Sequence, residues 1–200
     1  MSKNMVWDIQ VEKKDIYLTF DDGPIPKLTD YILDVLKDFD SKGTFFCVGE
    51  NISNHPQLCE NIVKQNHLLA NHTFNHLKGW STKNNQYLLN IEKCQKKISE
   101  FQETSNKPLF RPPHGQITKH QIKKLKDKYN IVMWDILSYD FETSHSPEKS
   151  LHKIIQKTTA GSIVIFHDNY KAEEKLKYML PKYLEHFCDQ GFIFKKLDLH

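Results

Sequence analysis

Short apolar runs alternate with longer amphipathic stretches along the whole chain. Ile16, Leu18 and Phe20 stand at every second position, the spacing of a strand, and Gly23-Pro24 closes the run in a turn. Further β-rich runs lie at 43–48, 67–70, 108–111, 131–134, 162–166 and 192–197. Between them, apolar residues recur at helical spacing over 26–39, 56–65, 84–103, 118–129, 147–159 and 173–189. Several of these segments open on proline or on a Ser/Thr cap, as helix N-termini do. Strands alternating with helices predict parallel pairing with the helices packed outside. The seven strands fit an open doubly wound sheet or an incomplete α/β barrel. No Gly-x-Gly-x-x-Gly and no phosphate loop follows the first strand, so nucleotide binding lacks support and the barrel is favoured.

Composition narrows the classes. Two hundred residues without linker, repeat or low-complexity segment read as one domain with room for a sizeable core. A net charge of +3, with no basic run interleaved with aromatics, argues against a nucleic-acid partner. The lysines of 117–129 have helical spacing and read as a solvated face, which an anionic polymer could also use. No stretch reaches the apolar length of a membrane span. Residues 1–7 lack an apolar signal core, so the chain as given is expected in the cytoplasm, or outside it if a leader has been trimmed. Cys47, Cys59, Cys94 and Cys188 form no close pair and read as buried free thiols, which fits a reducing compartment.

The polar motifs directly follow the apolar runs. Asp21-Asp22 follow the first strand, the segment Asn71 to His76 the third, Arg111-Pro-Pro-His-Gly the fourth, Asp135 and Asp140 the fifth, and His167-Asp168 the sixth. In a parallel barrel these points share the face on which active sites are built. Adjacent carboxylates repel, which is tolerable where a cation binds one of them. His72 and His76 are spaced i, i+4, so one helical turn would aim both imidazoles the same way. With a nearby carboxylate they make a His-His-Asp set that leaves positions open for water and substrate. The alternative is an accidental pair among eleven histidines. His114, His145, His152 and His186 read as surface or packing residues rather than ligands.

Residues 19–24, His72-x-x-x-His76, and residues 111–115, 134–141 and 163–168 resemble, in order, the five motifs of the polysaccharide deacetylases. This family is carbohydrate esterase family 4, also called the NodB-homology domain, and the resemblance covers about residues 15–197. It implies a distorted (β/α)7 barrel of parallel strands with outer helices, residues 1–200 forming one catalytic domain. It also implies a metal-dependent hydrolase that removes N-acetyl groups from N-acetylglucosamine units. The substrate would be an N-acetylated carbohydrate, a chitin-like or peptidoglycan-like polymer or oligosaccharide. Carried over residue by residue, Asp22, His72 and His76 would bind the metal. Asp21 would be the general base held by Arg111, and His167 the general acid tuned by Asp140. A backbone N–H at His114 would help stabilise the oxyanion, and Ile165 would line a pocket for the acetyl methyl. Zinc is the expected ion, with cobalt, nickel and manganese as alternatives.

Three departures qualify the match. His114 stands where the motif usually has tyrosine, a change that a backbone N–H tolerates. The fourth motif ends Asp140-Phe141 in place of Asp-Trp, and Leu137 sits where an acid is often found, which leaves Asp135 a structural role. Trp80 and Tyr139 are candidates for stacking on sugar rings or for packing. Asn75 reads as a turn cap, and Asp168 as a supporting residue rather than a catalyst. Two alternatives remain: a deacylase of another small amide or an O-acetyl ester, and a sugar-binding barrel without catalysis. The presence of Asp21, His167, Asp22, His72 and His76 disfavours the second. Oligomeric state is not legible in the pattern.

Overall fold

The structure is a computed structural model that describes residues 4–103 and 107–199. Residues 1–3 of the N-terminal stretch read above for an export signal lie outside them. At its centre is β1 (Asp15–Asp21), buried along its whole length. Its alternation divides the interior in two. Ile16, Leu18 and Phe20 join the large cluster formed with the helices, while Tyr17 points into a smaller cluster with Phe46, Ala70, Val132 and Ile163 inside the curled sheet. Thr19 and Asp21 share the inner side with Tyr17, so period two alone carries a carboxylate to the barrel's interior.

Around β1 the chain runs α1 (Leu28–Asp38), β2 (Thr44–Cys47), α2 (Gly49–Asn54), α3 (Pro56–Lys64), β3 (Leu68–Asn71), α4 (Asn84–Ile98) and β4 (Leu109–Phe110). A 3₁₀ turn at Pro113–Gly115 leads to α5 (Lys119–Leu125), β5 (Asn130–Ile131), β6 (Ile136–Leu137), α6 (Pro147–Lys157), β7 (Ile163–His167), α7 (Glu173–Cys188) and β8 (Ile193–Lys195). The strands lie in the order β5-β4-β3-β2-β1-β7-β6, all pairs parallel. β8 pairs with the first half of β1, on the edge whose second half pairs with β2. The N-terminal segment lies across the opening between the sheet's ends, Val6 bridging to Val132 and Asp8 to Ser162. This is the curled parallel α/β sheet with outer helices expected of a distorted (β/α)7 barrel.

Local differences from the pattern have physical causes. The run at 131–134 predicts one strand, but the sheet is left after Ile131 and rejoined in β6, an eighth short strand. There the Val132 and Met133 carbonyls turn to accept hydrogen bonds from the Arg111 guanidinium. α2 is absent from the predicted elements because six residues with one buried apolar side chain, Ile52, carry no readable period. Its start is instead fixed from outside, by Gly49 and Glu50 N–H groups donating to the Thr73 and Phe74 carbonyls. α4 and α5 end at Ile98 and Leu125, short of the predicted 103 and 129. All four cysteines are free thiols, Cys47, Cys59 and Cys94 buried. Among the described residues, no helix is long and apolar enough to cross a membrane.

Candidate active site

Asp21 ends β1 and meets Arg111, which follows β4 and is fully buried. A buried guanidinium is tolerated only where it is well hydrogen-bonded, and here each of its three nitrogens has a partner. Nη1 donates to Asp21 Oδ1 at 2.7 Å and to Thr19 Oγ1 at 2.8 Å; Nη2 donates to the Met133 carbonyl at 2.9 Å. The Phe46 ring lies 4.0 Å beneath the guanidinium carbon. Asp21 is thereby locked through one oxygen, and its Oδ2 lies 3.8 Å from His72 Nε2.

In a continuing strand Asp22 would face away from Asp21. A left-handed backbone, φ 81°, breaks the alternation and turns its carboxylate into the same cleft. Its Oδ1 lies 3.1 Å from His76 Nε2 and 3.5 Å from His72 Nε2. Burial opposes the charge on Asp22, but the facing His72 and His76 imidazoles outweigh it and hold the carboxyl well below its ordinary range.

The two histidines converge, though not on a helical turn as their spacing predicts. Residues 72–76 form a loop in which Thr73 and His76 are left-handed, φ 63° and 53°. Asn71 Oδ1 accepts the Thr73 N–H, Thr73 Oγ1 accepts the Leu77 N–H, and Asn90 Oδ1 accepts the N–H groups of Phe74 and Asn75. Asn75 accepts from Asn90 in turn, so it belongs to the loop's bracing. The two imidazole centroids end 5.1 Å apart. His72 Nδ1 lies 2.9 Å from the Arg111 carbonyl, to which it donates, leaving Nε2 as the free ligand atom. The ligand atoms of Asp22, His72 and His76 lie within 4.8 Å of one another. Two imidazole nitrogens with one carboxylate oxygen, one imidazole already oriented from behind, fit a divalent cation with open coordination positions.

His167 ends β7 in direct register with Asp21. Buried Asp140 accepts twice from it, from Nδ1 and from the backbone N–H, both at 2.7 Å. Burial lowers the pKa of His167, but Asp140, followed by the Asp22 and Asp21 charges, overcomes this and raises it to about 9. With Nδ1 committed to Asp140, Nε2 is the nitrogen left for the cleft.

The cleft, about 510 Å³, holds both acids and all three of these histidines. One wall is apolar, made of Trp134, Leu137, Phe141 and Ile165. His114 faces it with φ 58° and with its ring 4.8 Å from that of His76. Burial, then the nearby His76 and Lys78 charges, lower its pKa. The turn's hydrogen bonds run from the Gly115 and Gln116 N–H groups to Pro112 and Pro113, so neither uses the His114 N–H. At Gly115, φ 67°, a Cβ would come within 2.9 Å of the Trp134 ring. Trp80 and Tyr139 stand outside the cleft wall. Trp80 donates from its ring to the Ile117 carbonyl, and Tyr139 lies beneath the Lys153 ammonium.

Asp135 accepts from the Ser162 hydroxyl and the Ile163 N–H, a structural tie at the foot of β7. Asp168 accepts from the Thr29 hydroxyl under Gly23, and burial pushes its pKa up to about 8. Sequence reasoning misses the wall residues Trp134, Leu137 and Phe141 as such, and also Asn169 and Lys171 at the cleft. Position after a strand end is the signal that could have found Asn169, which donates to Asp22 Oδ2 at 2.6 Å.

A family model described as polysaccharide deacetylase matches residues 8–131. A peptidoglycan-N-acetylglucosamine deacetylase of Bacillus cereus is 31% identical over 193 residues, which are 95% of this chain and 89% of that protein. The peptidoglycan-N-acetylmuramic acid deacetylase PdaA of Bacillus subtilis is 27% identical over 194 residues, covering 94% of this chain and 71% of PdaA. A crystal structure of a peptidoglycan N-acetylglucosamine deacetylase in complex with 4-naphthalen-1-yl-N-oxidanyl-benzamide matches with a TM-score of 0.90 and 26% identity. It covers 97% of this chain and 91% of that one.

Proposed function

The chain belongs to the polysaccharide deacetylase family, and from that premise we propose that it hydrolyses the N-acetyl amide of amino sugars in peptidoglycan. The observation that carries this is the meeting of Asp21 and His167 in register across one cleft, each fixed by its own buried partner, beside the Asp22-His72-His76 cluster.

Asp22, His72 and His76 would hold a divalent cation, zinc by preference for this donor set, with cobalt, nickel or manganese as alternatives. Once bound, it supplies Lewis acidity, polarising a carbonyl and bringing the pKa of water toward about 7. Asp21 is tied to Arg111 through Oδ1, so Oδ2 takes the proton from the attacking water, a contribution of roughly 10²–10⁴ in rate. The His114 N–H meets the charge that develops on the acetyl oxygen. Trp134, Leu137 and Ile165 receive the methyl group on an apolar surface and keep water from it. His167 Nε2 then protonates the departing amine, because an amide anion does not leave unaided. At neutral pH its pKa of about 9 keeps that proton in place.

The test is acetate release from peptidoglycan fragments, chitooligosaccharides and acetylated xylan, using metal-stripped and zinc-restored protein. Release that needs zinc and is fastest on peptidoglycan fragments is the expected result. Preference for chitooligosaccharides would overturn the substrate, and silence on all three from zinc-loaded protein would overturn the activity. Assembled peptidoglycan is reached only outside the cytoplasm, so we also place the protein there, and cell fractionation checks it.

A further inference from the structure

The two oxygens of Asp22 have different partners. Oδ1 faces His72 and His76, while Oδ2 accepts a 2.6 Å hydrogen bond from Asn169 Nδ2. The amide's orientation is fixed from its other end, because Asn169 Oδ1 accepts the Ala172 N–H at 3.0 Å and must therefore point away from Asp22. The backbone of Asp22 is held as well. Its carbonyl accepts from Asn51 Nδ2 at 2.8 Å, and its N–H donates to the Phe46 carbonyl at 3.1 Å. A left-handed aspartate is thus gripped from β2, from α2 and from the loop that enters α7.

We propose that Asn169 is a positioning residue of the metal site, holding Oδ2 of Asp22 so that Oδ1 alone is offered alongside His72 and His76. This rests on the reading of Asp22, His72 and His76 as metal ligands. Without the Asn169 donor, Oδ2 loses its partner and the carboxylate is free to rotate about its Cβ–Cγ bond. Outer partners of this kind typically contribute roughly 10–100-fold to metal affinity. Asn169 also ties its own loop through Ala172, so a structural role has to be separated from the positioning one. Serine makes that separation. Its hydroxyl can accept the Ala172 N–H as asparagine does, but it is too short to reach Asp22.

The experiment measures zinc affinity by competition with a chromophoric chelator, on metal-stripped wild type, Asn169→Ser and Asn169→Ala. Thermal unfolding of the three metal-free proteins runs in parallel. The expected result is zinc binding weakened roughly 10–100-fold in both variants, with metal-free Asn169→Ser unfolding at the wild-type temperature. Wild-type zinc affinity in Asn169→Ser overturns the proposal. So does weakened binding matched by lost metal-free stability in that variant, which would make Asn169 a loop residue only. Should Asn169→Ala not fold, Asn169→Ser still decides. A wild type that binds no zinc is a separate outcome, and it removes the ligand assignment itself.

Discussion

Asp21 and Asp22 are neighbours that reach one cleft by different means, and only the first is legible in the sequence. Strand alternation aims Asp21 inward, whereas Asp22 depends on a left-handed backbone that no period announces. The Asn169 bond to Asp22 joins residues 147 positions apart and is equally silent. At this scale, His72→Ala or His76→Ala should abolish zinc binding and turnover together, as metal analysis beside acetate release would show. His167 gives a pH prediction. Its protonated form is the proton donor, so kcat/KM should fall as pH rises through about 9. Asp140→Asn removes the largest cause that raises this pKa, leaving burial to lower it, so the alkaline limb should move to lower pH. A pH–rate profile of both proteins tests this, and an unmoved limb would detach His167 from that limb. The same raised pKa stabilises the fold below the unfolded value near about 6.5, a contribution lost as pH rises through the folded one.

Among the elements, the long periodic ones are readable and the short ones are not. The run from Ile16 to Phe20 and the buried stripe of α7, Leu176, Met179, Leu180, Tyr183, Leu184 and Phe187, speak through many positions at once. β4, β5 and β6 are two residues each, and the chain leaves the sheet between β5 and β6 where Arg111 claims the Val132 and Met133 carbonyls. The loop bearing His72 and His76 shows the same limit, since i, i+4 spacing suggests a helix but side chains of Asn71, Thr73 and Asn90 build something else. That loop leans on the start of α2, where a Cβ on Gly49 would lie 2.5 Å from the Phe74 ring. Gly49→Ala should therefore displace Phe74 and cost about 1–3 kcal/mol of stability, read by denaturant unfolding. It should also weaken zinc binding, because the displaced segment carries both histidines. Unchanged stability and zinc affinity would show that the loop stands without that contact.

For the whole molecule, the fold class follows from alternation, and the meeting of Asp21-Asp22, His72, His76, Arg111, Asp140 and His167 on one rim follows from parallel strands. Asp135, expected on that rim, instead ties the opposite end of β7 because it precedes β6. What alternation cannot supply is closure. The sheet ends at β5 and β6 without pairing them, and the N-terminal segment lies across that opening through Val6 and Asp8. Binding of zinc to the folded form alone should raise stability by about 2.7 kcal/mol at a hundredfold excess over Kd. Thermal unfolding with and without zinc would show the rise in wild type and its absence in His72→Ala.

The central claim is the division of labour between the two adjacent acids, and the direct test compares metal content and turnover in Asp21→Asn and Asp22→Asn. The structure predicts that Asp21→Asn keeps its zinc while losing roughly 10²–10⁴ in turnover, and that Asp22→Asn loses the zinc itself. An Asp21→Asn protein stripped of metal, beside an Asp22→Asn protein that retains it, would contradict the assignment of both residues.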